Sequence, residues 1–263
     1  MFFRIGGKSL TKIIHCADLH LDSPMETHMT EEQASIRNTE IIHTFLRLTE
    51  YAAKNDVRAV IIAGDMFDGE RIKIRTVDEI LDAMRRTPNV DYLYLAGNHD
   101  GATYAFADHD MPDNLKIFGK EWTTYKYDSV AISGVEICEA NSESLYLQVP
   151  YENGVANIVT LHGQAGAVSG VDQVNISKLK NKGIDYLALG HIHTYDEQTL
   201  DGKGIYCYSG CLEGRGFDEC GPKGFVLLTV DSNRIQHEFV PFSRRQLHRV
   251  LVDITGLTKN SEI

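Results

Sequence analysis

"DYLYLAGNHDG", residues 91–101, is apolar as far as Leu95 and Ala96 and then turns polar. A short apolar run closed by a glycine predicts a buried strand and its exit turn. Asn98, His99 and Asp100 follow directly, at the lip of that strand. Polar side chains at the edge of a core need water, one another or a ligand to satisfy them. The same event recurs along the chain. KIIHCA (12–17) runs into Asp18-Leu19-His20, and VRAVIIA (57–63) runs into Gly64-Asp65 with Asp68 three residues on. ANIVTL (156–161) meets His162-Gly163, and IDYLAL (184–189) meets Gly190-His191-Ile192-His193. In an α/β sheet, ligands bind in the crevice beyond the carboxyl ends of the strands. Five strand ends that deliver Asp, Asn and His therefore predict one site at one end of the fold.

In extended backbone, residues i and i+2 face the same way. Asp18 with His20, and His191 with His193, can each present two donors to one point. Imidazole, carboxylate and amide oxygen together form a mixed N/O set, which suits Mn²⁺, Fe or Zn²⁺ better than thiol-seeking ions or all-oxygen Ca²⁺. Seven such donors are too many for one tetrahedral ion and suit two ions sharing a carboxylate. Each motif alone has a plain reading. A buried histidine often bonds a carbonyl, and Gly-Asp after a strand is often a turn with a helix cap. Five together at five apolar strand ends favour the metal site. The other histidines, such as His15 and His237, lack this context.

Elsewhere, residues 31–54 carry Ile36, Ile41, Ile42, Phe45, Leu46 and Leu48 at helical spacing, and 73–86 predicts a second helix before Pro88. The second half is strand-rich, with runs at 130–137, 205–208, 224–230 and 235–240 and a short helix at 176–182. Alternating α and β units followed by many strands predict an α/β protein with more than one sheet. RIKIRTVDEILDAMRR (71–86) carries an apolar stripe, Ile74, Val77, Ile80, Leu81 and Met84, that suits either pairing with a second copy or packing on the sheet. After Pro241 the chain turns basic in FSRRQLHR, and VLVDITGL (250–257) reads as one more strand.

The 263 residues, 43% hydrophobic and 24% charged, suit a soluble protein of one large domain, or of a domain plus a small appendage. No apolar run approaches the roughly 18 residues of a membrane span, and the first residues lack a signal-peptide pattern. Five scattered cysteines favour reduced thiols and a cytoplasmic location. Cys207, Cys211 and Cys220 lack the paired spacing of a zinc site. The formal net charge of −11 argues against sequence-independent grip on duplex DNA, except through a local patch. Arg215 and Lys223, with Arg244, Arg245 and Arg249 in the tail, are the candidates for such a patch.

Taken in order, Asp18-x-His20, Gly64-Asp65-x-x-Asp68, Gly97-Asn98-His99-Asp100, His162-Gly163 and Gly190-His191-x-His193 resemble the motifs of the calcineurin-like metallophosphoesterases. HCADLHLDSP (15–24) and SGCLEGRGFDECGPKGF (209–225) resemble the branch of SbcD-type DNA repair exonucleases. The resemblance implies two packed mixed β-sheets flanked by helices, with a dinuclear centre between them. It implies that Asp18, His20, Asp65 and His193 hold one ion, and that Asp65, Asn98, His162 and His191 hold the other. The ions expected are divalent transition metals, Mn²⁺ first, with Fe or Zn as alternatives. The implied activity is hydrolysis of DNA phosphodiesters by a hydroxide held between the metals; the alternative is a phosphoesterase for small nucleotides or other phosphate esters. A third, binding-only use of the fold ranks last, because every ligand and the catalytic histidine are present. His99 would protonate the leaving oxygen, Asp100 would orient it, and Arg215 would touch substrate. Asp68 stands where relatives often have histidine, and is expected to orient a neighbour or cap the following helix. By the same resemblance, residues 1–245 are the nuclease domain and 246–263 open a DNA-holding cap. DNA is then the expected substrate, an SMC-type ATPase the partner of a longer form, and a homodimer the expected assembly.

Overall fold

The computed structural model describes residues 10–25, 29–68, 72–98, 100, 106, 109–253 and 255. His99 lies outside the described residues. Two six-stranded sheets form the molecule. The first contains β1 (Thr11–Cys16), β2 (Val57–Ala63), β3 (Asp91–Leu95), β4 (Leu115–Ile117), β13 (Gly224–Asp231) and β14 (Arg234–Pro241), in the order β14-β13-β1-β2-β3-β4. The second contains β5 (Thr123–Tyr127), β6 (Val130–Gly134), β7 (Ala156–His162), β10 (Tyr186–Gly190), β11 (Asp196–Thr199) and β12 (Ile205–Tyr208), in the order β11-β12-β10-β7-β6-β5. Each sheet is mixed, with a parallel centre and antiparallel strands at one edge or both. A small parallel pair, β8 (Gln164–Gly166) and β9 (Gln173–Asn175), lies beyond the end of β7.

Strand alternation sorts the core into layers. Ile13, Ala59, Ile61, Ala63, Leu93 and Leu95 point from the first sheet onto Ile132, Ile158, Tyr186 and Ala188 of the second. The opposite faces of β1, β2 and β3, with Ile14, Val60, Ile62, Tyr92 and Tyr94, are covered by α1 (Glu31–Lys54) and α2 (Ile74–Arg85). Val159, Leu161, Leu187 and Leu189 face outward from the second sheet under Leu145, Tyr146, Val174 and Leu179. Leu179 ends α3 (Ile176–Leu179). Strands buried on both faces read as continuous apolar runs, which is why VRAVIIA and IDYLAL stand out in the sequence. His15 joins the sheets from within. Its Nε2–H donates to the Leu189 carbonyl (3.2 Å), and its Nδ1 accepts from the Tyr186 hydroxyl (2.9 Å).

Several expectations shift. The short helix ends at Leu179 because Lys180 is already extended (φ −59°, ψ 140°). The strands that apolar runs did not announce include β4, β5 and β11, which sit at the edges of the large sheets, and β11 is exposed throughout. Edge strands carry polar residues and so lack the buried-strand signal. In α2, Val77, Ile80, Leu81 and Met84 pack into the core, and Ile74 alone of the stripe is exposed (70%). That stripe therefore covers the first sheet, and nothing of it but Ile74 is left to face a second copy. The described residues 250–253 lie outside any strand, with Leu251 90% exposed, so the strand expected in VLVDITGL is not formed there. No helix among the described residues is long and apolar enough to cross a membrane.

Candidate metal centre

The carboxyl ends of β1, β2, β3, β7 and β10 open at the same edge of the interface between the sheets. Past β1 and β2 the two chains stay zipped: Asp18 N donates to Gly64 O (3.0 Å), His20 N to Asp65 O (3.0 Å) and Leu21 N to Met66 O (2.9 Å). This ladder sets Asp18 and His20 against Asp65. Four of the site residues turn through positive φ: Asp18 (52°), His20 (45°), Asp65 (50°) and His191 (102°). Asp and His enter that region more readily than bulkier side chains, and such strain gathers at functional sites.

Asp18, His20, Asp65 and His193 each offer a ligand atom, and all four atoms lie within 4.8 Å of one another. The first three are buried and His193 is half-buried. His20 Nε2 lies 3.2 Å from His193 Nε2 and 3.8 Å from Asp65 Oδ2. Asp65 Oδ2 also lies 3.5 Å from His162 Nε2, so this one oxygen faces both groups. His162 Nε2 and His191 Nδ1 approach Asn98 Oδ1 at 2.9 and 3.3 Å. All seven side chains expected as ligands therefore converge.

The ring nitrogens that face away are held. His162 Nδ1–H donates to the Ala63 carbonyl at 2.9 Å, and His193 Nδ1–H donates to Glu219 Oε1 at 2.7 Å. In that tautomer both Nε2 atoms carry lone pairs toward the centre, an arrangement typical of metal-ligating histidines. Asp18 Oδ1 accepts from the His191 amide (2.9 Å), while Asp18 Oδ2 is buried with no hydrogen-bond partner. A buried carboxylate oxygen without a partner is costly. A divalent cation satisfies it, and the donor set around it is the kind such ions take. The residues present fit the group.

Electrostatics act on these groups in both directions. Burial first, and Asp65 beside it, carry the Asp18 carboxyl up to about 7 against the pull of His193 and the His191 amide. Burial lowers the His191 pKa, and His162 adds to the effect, so its neutral, ligating form is favoured. Burial also opposes protonating His193, but the hydrogen bond to Glu219 and the charges of Asp18 and Glu219 outweigh it and leave its pKa raised. For Glu219, burial is overcome by hydrogen bonds from His193 and Arg215, and its carboxyl is held well below the ordinary range.

Glycine allows the sheets to close on His162. A Cβ at Gly64 (φ +98°) would lie 2.0 Å from His162 Nδ1, and one at Gly190 would lie 1.9 Å from the Ala63 oxygen that orients His162. Neither position has room for any side chain.

Four expected residues take definite places. Asp100 accepts from the backbone N–H groups of Phe67 (2.8 Å), Gly97 (2.9 Å) and Met66 (3.2 Å), tying the turn that carries Asn98 to the exit of β2. Its burial raises its carboxyl to about 6 against those bonds. Arg215 donates to Asp68 Oδ2 (3.0 Å) and to Glu219 Oε1 (2.9 Å). Asp68 also accepts from Ser23 Oγ (2.8 Å) and so fixes neighbours. Lys73, and not Asp68, stands at the N-cap of α2. Lys223, a positive candidate from the sequence, is buried with its ammonium on the His193 carbonyl (2.6 Å). Glu219 is a site residue that sequence reasoning misses. Its only signal is its place in the loop 209–225, and nothing there separates it from Glu213, which turns instead to Arg37 and Thr44.

Residues 11–195 match the family model of calcineurin-like phosphoesterases. Among curated proteins, the chain is 26% identical over 260 residues to the uncharacterized metallophosphoesterase YhaO of Bacillus subtilis, covering 92% of this chain and 63% of that one. It is 28% identical over 213 residues to the DNA double-strand break repair protein Mre11 of Sulfurisphaera tokodaii, covering 74% of this chain and 52% of that protein. The chain thus spans between half and two thirds of the length of these relatives. Among solved structures, TT1561 of Thermus thermophilus superposes with a TM-score of 0.53 at 11% identity, covering 88% of this chain and 99% of that one, a likeness of fold alone.

Proposed function

The chain belongs to the calcineurin-like phosphoesterase family, and from that premise we propose that it hydrolyses phosphodiester bonds of DNA with two divalent transition-metal ions, Mn²⁺ first. The reading is carried by the convergence of ligand atoms from Asp18, His20, Asp65 and His193 within 4.8 Å of one another, Asp18 Oδ2 being buried without a hydrogen-bond partner. Asp18, His20 and His193 would hold one ion and Asn98, His162 and His191 the other, with Asp65 shared. When bound, such a pair acts as Lewis acid on phosphate oxygens, offsets the charge of the diester and lowers the pKa of water.

The chain's own residues do the rest. The Ala63 carbonyl and Glu219 keep the outer ring protons of His162 and His193, so their Nε2 lone pairs stay available. Asp100 secures the turn bearing Asn98 by its three backbone hydrogen bonds. We assign protonation of the leaving oxygen to His99, which follows Asn98 in sequence. DNA enters as substrate class from the name of the Mre11 relative. A second reading, a small nucleotide or other phosphate ester, is allowed by the charge of −11, which weakens grip on a long polyanion more than on a small ester.

The test is hydrolysis of single-stranded DNA and of bis-p-nitrophenyl phosphate with Mn²⁺ and with chelator. Mn²⁺-dependent cleavage of both supports the nuclease reading. Cleavage of the small diester alone supports the second, and cleavage of neither overturns both. With His99→Ala, metal content should hold while turnover drops on the order of 10²–10⁴-fold; unaltered turnover removes His99 from the assignment.

A further inference from the structure

We propose that the cavity behind Arg215 is a subsite for the nucleoside next to the scissile phosphate, with the Phe217 ring as its stacking platform. The proposal rests on the phosphodiesterase reading above and names the part of the substrate that a second pocket takes.

The cavity measures about 310 Å³, and its walls include Met29, Ile36 and Phe217 together with Arg37, Arg215 and Arg245. That volume falls at the small end of ligand pockets and suits a nucleoside. It adjoins the metal centre through a single side chain. Arg215 lines it, and the same guanidinium lies 3.3 Å from His193 Nδ1. A group bound there is within one residue's reach of the ligand set.

The chemistry of the wall selects the occupant. Phe217 is 71% exposed, whereas Phe45, Phe67, Phe106, Phe118 and Phe225 are buried in the core. Exposure of one ring is ordinary by itself; what distinguishes Phe217 is that it lines a cavity shared with Arg215. The three arginines are already paired behind the wall. Arg37 bonds Glu40 and Glu213, Arg245 bonds Glu40, and Arg215 bonds Asp68 and Glu219. Paired in this way, they bring the cavity little free charge. An aromatic ring, apolar neighbours and arginines whose charge is already paired favour a planar heteroaromatic base over a free phosphate.

The opposite side of the centre sharpens the choice. There the cavity against Asn98 and His162 is lined by Glu136, Glu139 and Asp172. Carboxylates repel the phosphates of a nucleotide chain, whereas the described residues lining the Phe217 cavity include no acid. A substrate with the scissile phosphate at the centre therefore lays its flanking nucleoside toward Phe217.

The test compares two esters that release the same p-nitrophenol: thymidine 5′-(p-nitrophenyl phosphate) and methyl p-nitrophenyl phosphate, assayed on the full chain with Mn²⁺. They differ only in the nucleoside. Wild type should prefer the thymidine ester in kcat/KM by on the order of tenfold, chiefly through KM. Phe217→Ala should collapse that ratio toward one, and Phe217→Trp should restore it. Equal kcat/KM for the two esters in wild type, or a ratio unmoved by Phe217→Ala, overturns the subsite while leaving the phosphodiesterase reading intact. If neither ester is cleaved, that reading fails, and calorimetric titration of the metal-free chain with thymidine 5′-monophosphate decides the subsite. Binding that weakens several-fold in Phe217→Ala supports it, and no binding, or binding indifferent to Phe217, overturns it.

Discussion

The two sheets bring different chemistry to their common edge. The first supplies oxygen: Asp18, Asp65 and Asn98, with His20 the single imidazole. The second supplies only nitrogen, from His162, His191 and His193. The first sheet's residues are fixed by a backbone ladder that runs on past the strands, from Asp18–Gly64 to Leu21–Met66. Those of the second are fixed by reaching across, His162 to the Ala63 carbonyl and the His191 amide to Asp18 Oδ1. Neither sheet holds a site alone. The centre is a property of their docking, and the ligands of the second sheet depend on contacts that the first one supplies.

The largest expected effect comes from removing the oxygen the two groups share. Asp65→Ala should abolish binding of both ions and lower Mn²⁺-dependent hydrolysis by several orders of magnitude, read by elemental analysis and turnover. Retention of two ions at saturating Mn²⁺ would break the picture of a shared carboxylate. A smaller effect should follow from loosening one nitrogen ligand of the second sheet. Glu219→Gln keeps an acceptor beside His193 Nδ1 but loses the charge. Mn²⁺ affinity should weaken on the order of 10–100-fold with the fold intact, and an unchanged titration would show that Glu219 does not orient His193.

The mildest effect concerns the docking itself. Burial lowers the pKa of His15, between the sheets, to about 3, against an ordinary 6.5. The unfolded chain therefore binds a proton below about pH 6.5 that the folded chain refuses, and stability falls as pH drops. Between pH 7 and 5 this group alone should cost about 2 kcal/mol. His15→Gln should lack that component, so denaturant melts of the two proteins should differ in slope with pH. Parallel slopes would mean that His15 is not held neutral by the packed sheets.

Much of this is legible in the sequence because buried parallel strands announce themselves, and their ends carry the candidate ligands. KIIHCA, VRAVIIA and IDYLAL locate Asp18, Asp65 and His191 directly. What one strand's pattern cannot convey is which strands become neighbours. Nothing in the chain alone says that Gly190 must make way for the carbonyl of Ala63, or that Glu219, and not Glu213, turns inward. Arg215 illustrates the same limit. Its charge suggests contact with substrate, and nothing in the chain alone says that its donors go to Asp68 and Glu219, partners 147 and 4 residues away in sequence.

Lys223 has a consequence outside catalysis. The residue is 2% exposed, with its ammonium seated on the His193 carbonyl, which the Cys211 thiol also approaches (3.4 Å). An amine so enclosed is shielded from acylating reagents for as long as the turn after β10 stays down, and it becomes reactive when that turn lifts. The molecule thus contains its own chemical footprint of the assembled centre, one that surface lysines such as Lys54 and Lys203 cannot give.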